Sequence, residues 1–134
     1  YLATKYDGSG TWLPTAASDA AEVQRFLSLA AGPIAYGPAK ARLVNVFGAK
    51  LDHQALIAQS HNTLKIVEAH LTGRDWLVTD KPTIADVANY TYIAHAPEGG
   101  VSLEDYPHIQ AWIKRFEALD DFVPMTATAV GLAV

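Results

Sequence analysis

Apolar positions recur at helical spacing along nearly the whole chain, and no segment alternates convincingly with a period of two. Val23, Phe26, Leu27 and Ala30 form the first clear stripe, with Ser18 or Asp19 placed to cap it and Glu22 adding charge at its positive end. Gly32-Pro33 and Gly37-Pro38 then interrupt the pattern. Each proline removes a donor and crowds the preceding turn, so the two pairs predict a kink or a break. Helix resumes from Ala39 to Phe47, with Leu43, Val44 and Phe47 apolar. Asp52 is placed to cap a long helix that stops at Gly73, and Leu56, Leu64, Val67 and Leu71 are its core stripe. Ile109, Trp112, Ile113, Phe116 and Leu119 make another, with Lys114, Arg115 and Glu117 facing water and Pro107 at the first helical position after Tyr106. Pro124 is expected to open a last short helix. The pattern predicts an all-α helical bundle of five or six helices around one core.

Pro82-Thr83-Ile84-Ala85-Asp86 carries the strongest local signal. Thr83 and Asp86 have the spacing of a capping box. The threonine hydroxyl accepts from the first turn, and the carboxylate reaches back to the Thr83 N–H. The following run, Val87 to Ala94, is almost uncharged, which predicts a helix buried on nearly every side. A cap inside a protein protects N–H groups that would be costly to leave unpaired. The pair therefore reads as a structural capping box and not as a catalytic acid.

The chain begins at Tyr1 in mid-pattern. Tyr1 to Tyr6 reads as the last turns of a helix, with Asp7-Gly8 as its stop and Gly8 able to turn left-handed. Gly8 to Thr15 reads as a linker whose Trp12 and Leu13 can plug a hydrophobic groove. An uncapped helix at the first residue predicts a fragment of a longer protein.

Composition narrows the chemistry. The 134 residues suffice for one compact core, and half are hydrophobic. A net charge of -4 gives no basic surplus to displace counterions, so nucleic acid is not expected as a partner. Nor is a membrane, since no apolar run approaches the roughly 20 residues of a span. The absence of cysteine removes disulfides, thiolate metal sites and a cysteine nucleophile from this chain. The five histidines lack metal-ligand spacing and contain no His-Glu-x-x-His, so no metal is expected. Glu104-Asp105 and Asp120-Asp121 flank helix ends as solvated or capping carboxylates. Gly8-Ser9-Gly10 lacks the strand and third glycine of a phosphate loop, and no Gly-x-Ser-x-Gly elbow occurs.

The run from Trp76 to Asp86 resembles the centre of the C-terminal helical domain of cytosolic glutathione S-transferases, where a Thr/Ser-x-x-Asp box starts the buried sixth helix. Asp105 to Trp112 is similar to that family's following helix, and Arg115 to Pro124 to its exit. Tyr1 to Tyr6 resembles the last helix of the preceding thioredoxin-like domain. The resemblance implies residues 1–7 as a remnant of that domain, 8–17 as linker and 18–134 as the C-terminal all-helical domain. It also implies a cytoplasmic, homodimeric detoxification enzyme that transfers glutathione to small hydrophobic electrophiles or reduces them. Short loops and plain composition suggest a bacterial member. Glutathione is then the co-substrate, with no metal. The catalytic Tyr, Ser or Cys is expected upstream of Tyr1, so the fragment alone is expected to be inactive.

By position in the family, Phe26, Leu29, Ala30, Tyr36 and Met125 are candidates for the wall of the electrophile site. The glutathione-binding residues are unknown. A histidine that some bacterial members carry on the first helix of this domain falls near Ala35 here, leaving Arg25 and Tyr36 as the nearest polar substitutes. The rival reading is a non-enzymatic protein-interaction module of the same fold.

Overall fold

The computed structural model describes residues 1–129. Six α-helices occur among them: α1 (Leu2–Tyr6), α2 (Ala17–Leu29), α3 (Lys40–Phe47), α4 (His53–Leu71), α5 (Ile84–Ala94) and α6 (Pro107–Glu117). The described residues contain no strand, as the helical periodicity predicts.

The two Gly-Pro pairs do not break the chain's helical path. Residues Ala30–Ala39 form a π-helical segment that joins α2 to α3, and the flanking residues Leu29, Ala30, Ala39 and Lys40 all keep right-handed helical dihedrals. The wider π turns absorb both prolines where α turns would clash. The run from Ala17 to Phe47 ends at Gly48, whose φ of 67° is the left-handed stop. Within the π segment Gly37 permits close packing on α4, since a Cβ there would lie 3.1 Å from the Ser60 hydroxyl.

Several local expectations are corrected. Neither Ser18 nor Asp19 caps α2: the helix starts earlier, at Ala17, with Ala16 as an N-cap that makes no side-chain bond. Gly8 is not left-handed. The Asp7 carboxylate accepts from the Ser9 and Trp12 N–H groups at 3.0 and 2.8 Å, so the aspartate makes the stop, and the left-handed glycine is Gly10. No helix begins at Pro124; residues 122–129 are irregular, and Asp121 at φ 62° turns the chain out of α6's exit. On α3 the buried residues are Ala41, Arg42 and Val46, while Leu43 and Phe47 face outward.

The core joins Val23 and Phe26 of α2, Ile34 of the π segment, Leu64, Val67 and Leu71 of α4, Ile93 of α5, and Ile109 and Trp112 of α6. Trp76 and Leu77 close it beneath the 74–78 bridge. Asp52 caps α4 by accepting from the Ala55 N–H at 3.0 Å. A 3-10 turn, Ala96–Gly99, packs so tightly on α3 that a Cβ at Gly99 would lie 2.6 Å from the Arg42 backbone nitrogen.

Candidate functional site

The capping box at the start of α5 is present, and Asp86 is fully buried. Its Oδ2 accepts from the Thr83 N–H at 2.8 Å and from the Thr83 hydroxyl at 3.2 Å. The Thr83 hydroxyl in turn accepts from the Ala85 N–H at 3.2 Å. The other oxygen, Oδ1, accepts from the Leu77 N–H at 3.0 Å and from the Trp112 indole N–H at 2.9 Å. Both oxygens are committed to donors from the bridge, α5 and α6. An acceptor so occupied holds three segments together and offers nothing to a reacting molecule.

α5 is not buried on every side. Ala85, Asp86, Asn89, Tyr90 and Ile93 face inward, but Val87 and Tyr92 are exposed. The open side of α5 forms one wall of a surface cavity of about 630 Å³. Trp12 of the linker, Val87, Tyr90 and Thr91 of α5, Phe116 of α6 and the 119–125 segment line it. The Tyr90 and Phe116 rings stack at 4.4 Å, and Phe122 stands edge-on to both. The Tyr90 hydroxyl donates to Glu117 at 2.7 Å; burial, then that carboxylate, push its pKa upward, so it stays protonated as a fixed donor. Trp12 is fixed as well, because its carbonyl accepts the Ile84 N–H at 2.9 Å. This arrangement offers an apolar, aromatic binding wall with polar atoms at its rim.

The five proposed wall residues do not share one cavity. Met125 lines the cavity just described, and the other four do not. Phe26 lies in the core at 1% exposure, against the His70 ring. Leu29 and Ala30 are half-buried where α2 passes into the π segment. Tyr36 is exposed, with the Lys40 ammonium 4.3 Å above its ring. Arg25 pairs with Glu22 at 2.7 Å and lies over the Phe26 ring.

A second polar cluster had no signal in the sequence. Arg42 of α3 donates to Glu98 of the 3-10 turn, and His95 meets the same carboxylate at 2.8 Å. Thr128 joins from the far end of the described chain: its N–H donates to Glu98 at 3.1 Å, and its hydroxyl accepts from Arg42 at 2.7 Å. Burial pushes the Glu98 pKa up, but the bonds from His95, the Thr128 N–H and Arg42, with the Arg42 charge, outweigh it and hold the group at about 2.

Each histidine is spent on a structural contact. His53 meets the Gly99 carbonyl, His61 the Tyr106 hydroxyl, His70 the Leu77 carbonyl, His95 Glu98, and His108 Glu68. No group of three or more metal-ligating side chains converges among the described residues.

Comparison with known proteins places these features in a wider group. The sequence model of the family described as "Glutathione S-transferase, C-terminal domain" matches residues 33–120. The glutathione S-transferase sirG of Leptosphaeria maculans is 30% identical over 128 residues, covering 88% of this chain and 54% of that protein. A glutathione S-transferase structure from Pseudomonas fluorescens superposes with a TM-score of 0.83 at 28% identity, covering 92% of this chain and 63% of that one. A glutathione transferase structure from Burkholderia graminis, with two glutathione molecules bound per subunit, gives a TM-score of 0.77 at 25% identity, covering 90% and 53%. The chain thus spans between about half and two thirds of the length of these relatives.

Proposed function

The chain belongs to the glutathione S-transferase C-terminal domain family, and from that premise we propose that it is the helical part of a glutathione transferase that joins glutathione to small hydrophobic electrophiles or reduces them. The match over residues 33–120 carries this reading. The Burkholderia relative with bound glutathione supports glutathione as the co-substrate. Residues 1–7 are proposed as the remnant of a thioredoxin-like domain, 8–17 as the linker and 18–134 as the helical domain. Leu29, Ala30, Tyr36 and Met125 are proposed as surfaces of the electrophile wall, with Phe26 supporting it from beneath. The acid–base or thiol group of the reaction is assigned to residues upstream of Tyr1, so this chain alone should turn over no substrate. A homodimer acting in detoxification in the bacterial cytoplasm completes the proposal.

The test is made on the full-length protein. It should be retained on immobilised glutathione, be eluted by free glutathione, and form either the dinitrophenyl thioether of glutathione with chloride release from a chlorodinitrobenzene electrophile, or glutathione disulfide with release of the partner thiol from a mixed disulfide. A protein that is not retained and forms neither product would replace the enzyme with the interaction module. Retention without turnover on either substrate would also remove the transferase reading.

A further inference from the structure

The segment that follows α6 is tied down at two points. At its start Phe122 packs edge-on against Tyr90 and Phe116, with centroids 5.5 and 5.8 Å away, and its N–H donates to the Leu119 carbonyl at 3.1 Å. At its end Thr128 is held by the part-buried Arg42–Glu98 pair. Between the ties, residues 123–127 make no hydrogen bond with any other described residue. Val123 is 85% exposed. Yet Val123, Pro124 and Met125 form one side of the apolar cavity.

We propose that residues 122–128 are a strap across this cavity, and that Arg42 and Glu98 are its latch, positioning Met125 and setting how fast an apolar ligand enters. Two residues separate Met125 from Thr128, so the latch lies at most three Cα steps, about 11 Å of chain, from the cavity wall. A segment without hydrogen bonds or buried side chains of its own has no local reason to stay in place. Its position is therefore set at its ends. The Phe122 end belongs to the aromatic cluster and is shared with the core. The Thr128 end consists of two hydrogen bonds to a charged pair that stays intact when the threonine leaves. Opening at Thr128 thus costs only the polar tie, while Arg42 remains on Glu98 and the core is undisturbed. That is the asymmetry of a hinged lid: a permanent anchor at one end and a releasable one at the other.

Thr128→Pro removes the donated N–H and the hydroxyl together, outside every helix. Thr128→Ala removes the hydroxyl alone. In the full-length protein, backbone order parameters of Met125 to Ala127 should fall from about 0.85 to below about 0.6 in Thr128→Pro, with an intermediate change in Thr128→Ala. The association rate of anilinonaphthalene sulfonate with the cavity should rise at least threefold, while the melting temperature stays near wild type. Unchanged order parameters would show that Thr128 is not the tie. Lower order parameters with an unchanged association rate would show a tie that gates nothing. Either result overturns the proposal, and neither depends on whether the protein turns over glutathione.

Discussion

The helices α5 and α6 must both satisfy the free N–H groups of their first turns, α5 in the interior and α6 at the surface where Pro107 and His108 are exposed, and they do so in opposite ways. α5 is capped from within, by Thr83 and Asp86, three residues apart. α6 has no cap of its own: the Tyr106 side chain at its N-cap makes no bond to the first turn. Its free N–H groups are met by Glu68 of α4, about forty residues upstream. The Glu68 carboxylate accepts from the His108 and Ile109 N–H groups, each at 2.9 Å, and from the His108 ring at 2.6 Å. The first device is written in five consecutive residues. The second exists only once α4 and α6 are docked. A local cap can start its helix before the fold forms; a remote cap can only reward the fold afterwards. The two are not fully independent, because Asp86 also takes the indole N–H of Trp112 on α6.

That extra reach makes Asp86→Ala the largest expected effect. It strands the Leu77 and Thr83 N–H groups and the Trp112 indole N–H in a region closed to water. Each stranded donor costs about 1–3 kcal/mol, and the three share one site that can relax together, so a loss in the lower part of their sum, about 3–5 kcal/mol in urea unfolding, is expected, above what a cap alone supplies. A loss near 1 kcal/mol would show that the cap is purely local, and a mutant that melts like wild type would remove it as a fold determinant.

Glu98 tests a third carboxylate, one that joins α3, the 3-10 turn and the C-terminal segment. Its folded pKa of about 2 lies below the ordinary 4.5. The unfolded chain therefore takes up the proton first as acid is added. The stabilisation is fully present above about pH 5 and is lost as pH falls through the folded value. The stability gap between wild type and Glu98→Gln should shrink by about 3 kcal/mol between about pH 5 and pH 2. A pH-independent gap would mean that packing, and not charge, joins these elements.

These contrasts explain what the sequence could reveal. The stripes of α4 and α6, the Asp52 cap and the Thr83–Asp86 box rest on neighbours within four residues, so periodicity and spacing expose them. Apart from the His95–Glu98 contact, Glu68, Arg42 and Glu98 act across 30 to 86 residues, and nothing local marks those bonds. The Gly-Pro pairs left the outcome open for a different reason. A proline disfavours α turns, but the rule does not say whether the chain will break or widen into π turns; packing of Ile34 and Gly37 against the core decided that. The candidate wall was the least legible. Phe26 lies at the helical spacing that also marks core, and only the three-dimensional arrangement separates it from Met125 beside the cavity.

Glu68→Gln breaks the remote cap while keeping most of the side chain's bulk. One amide oxygen remains to accept, so of the His108 and Ile109 N–H bonds one survives in weaker, uncharged form. A loss of about 1–2 kcal/mol is expected, together with faster exchange of the first α6 amides relative to those of α5. Equal acceleration in both helices would mean that their starts melt as one unit and that the distinction between them is only geometric.

Thr83→Ala is the smallest and the sharpest of these tests. The threonine hydroxyl accepts the Ala85 N–H and donates to Asp86, and both partners lie within three residues. Its removal costs about 1 kcal/mol, the ordinary worth of an N-cap side chain. Asp86 then keeps the Thr83 N–H, the Leu77 N–H and the Trp112 indole N–H, so the long-range part of the hub survives. If the local and remote roles of this box are separable, Thr83→Ala should fray only the first turn of α5 and leave Trp112 fluorescence at its native wavelength. A shift of that emission toward the exposed value, or a loss as large as that of Asp86→Ala, would show that the hydroxyl is what orients the carboxylate. The threonine would then control the docking of α6 as well as the start of its own helix.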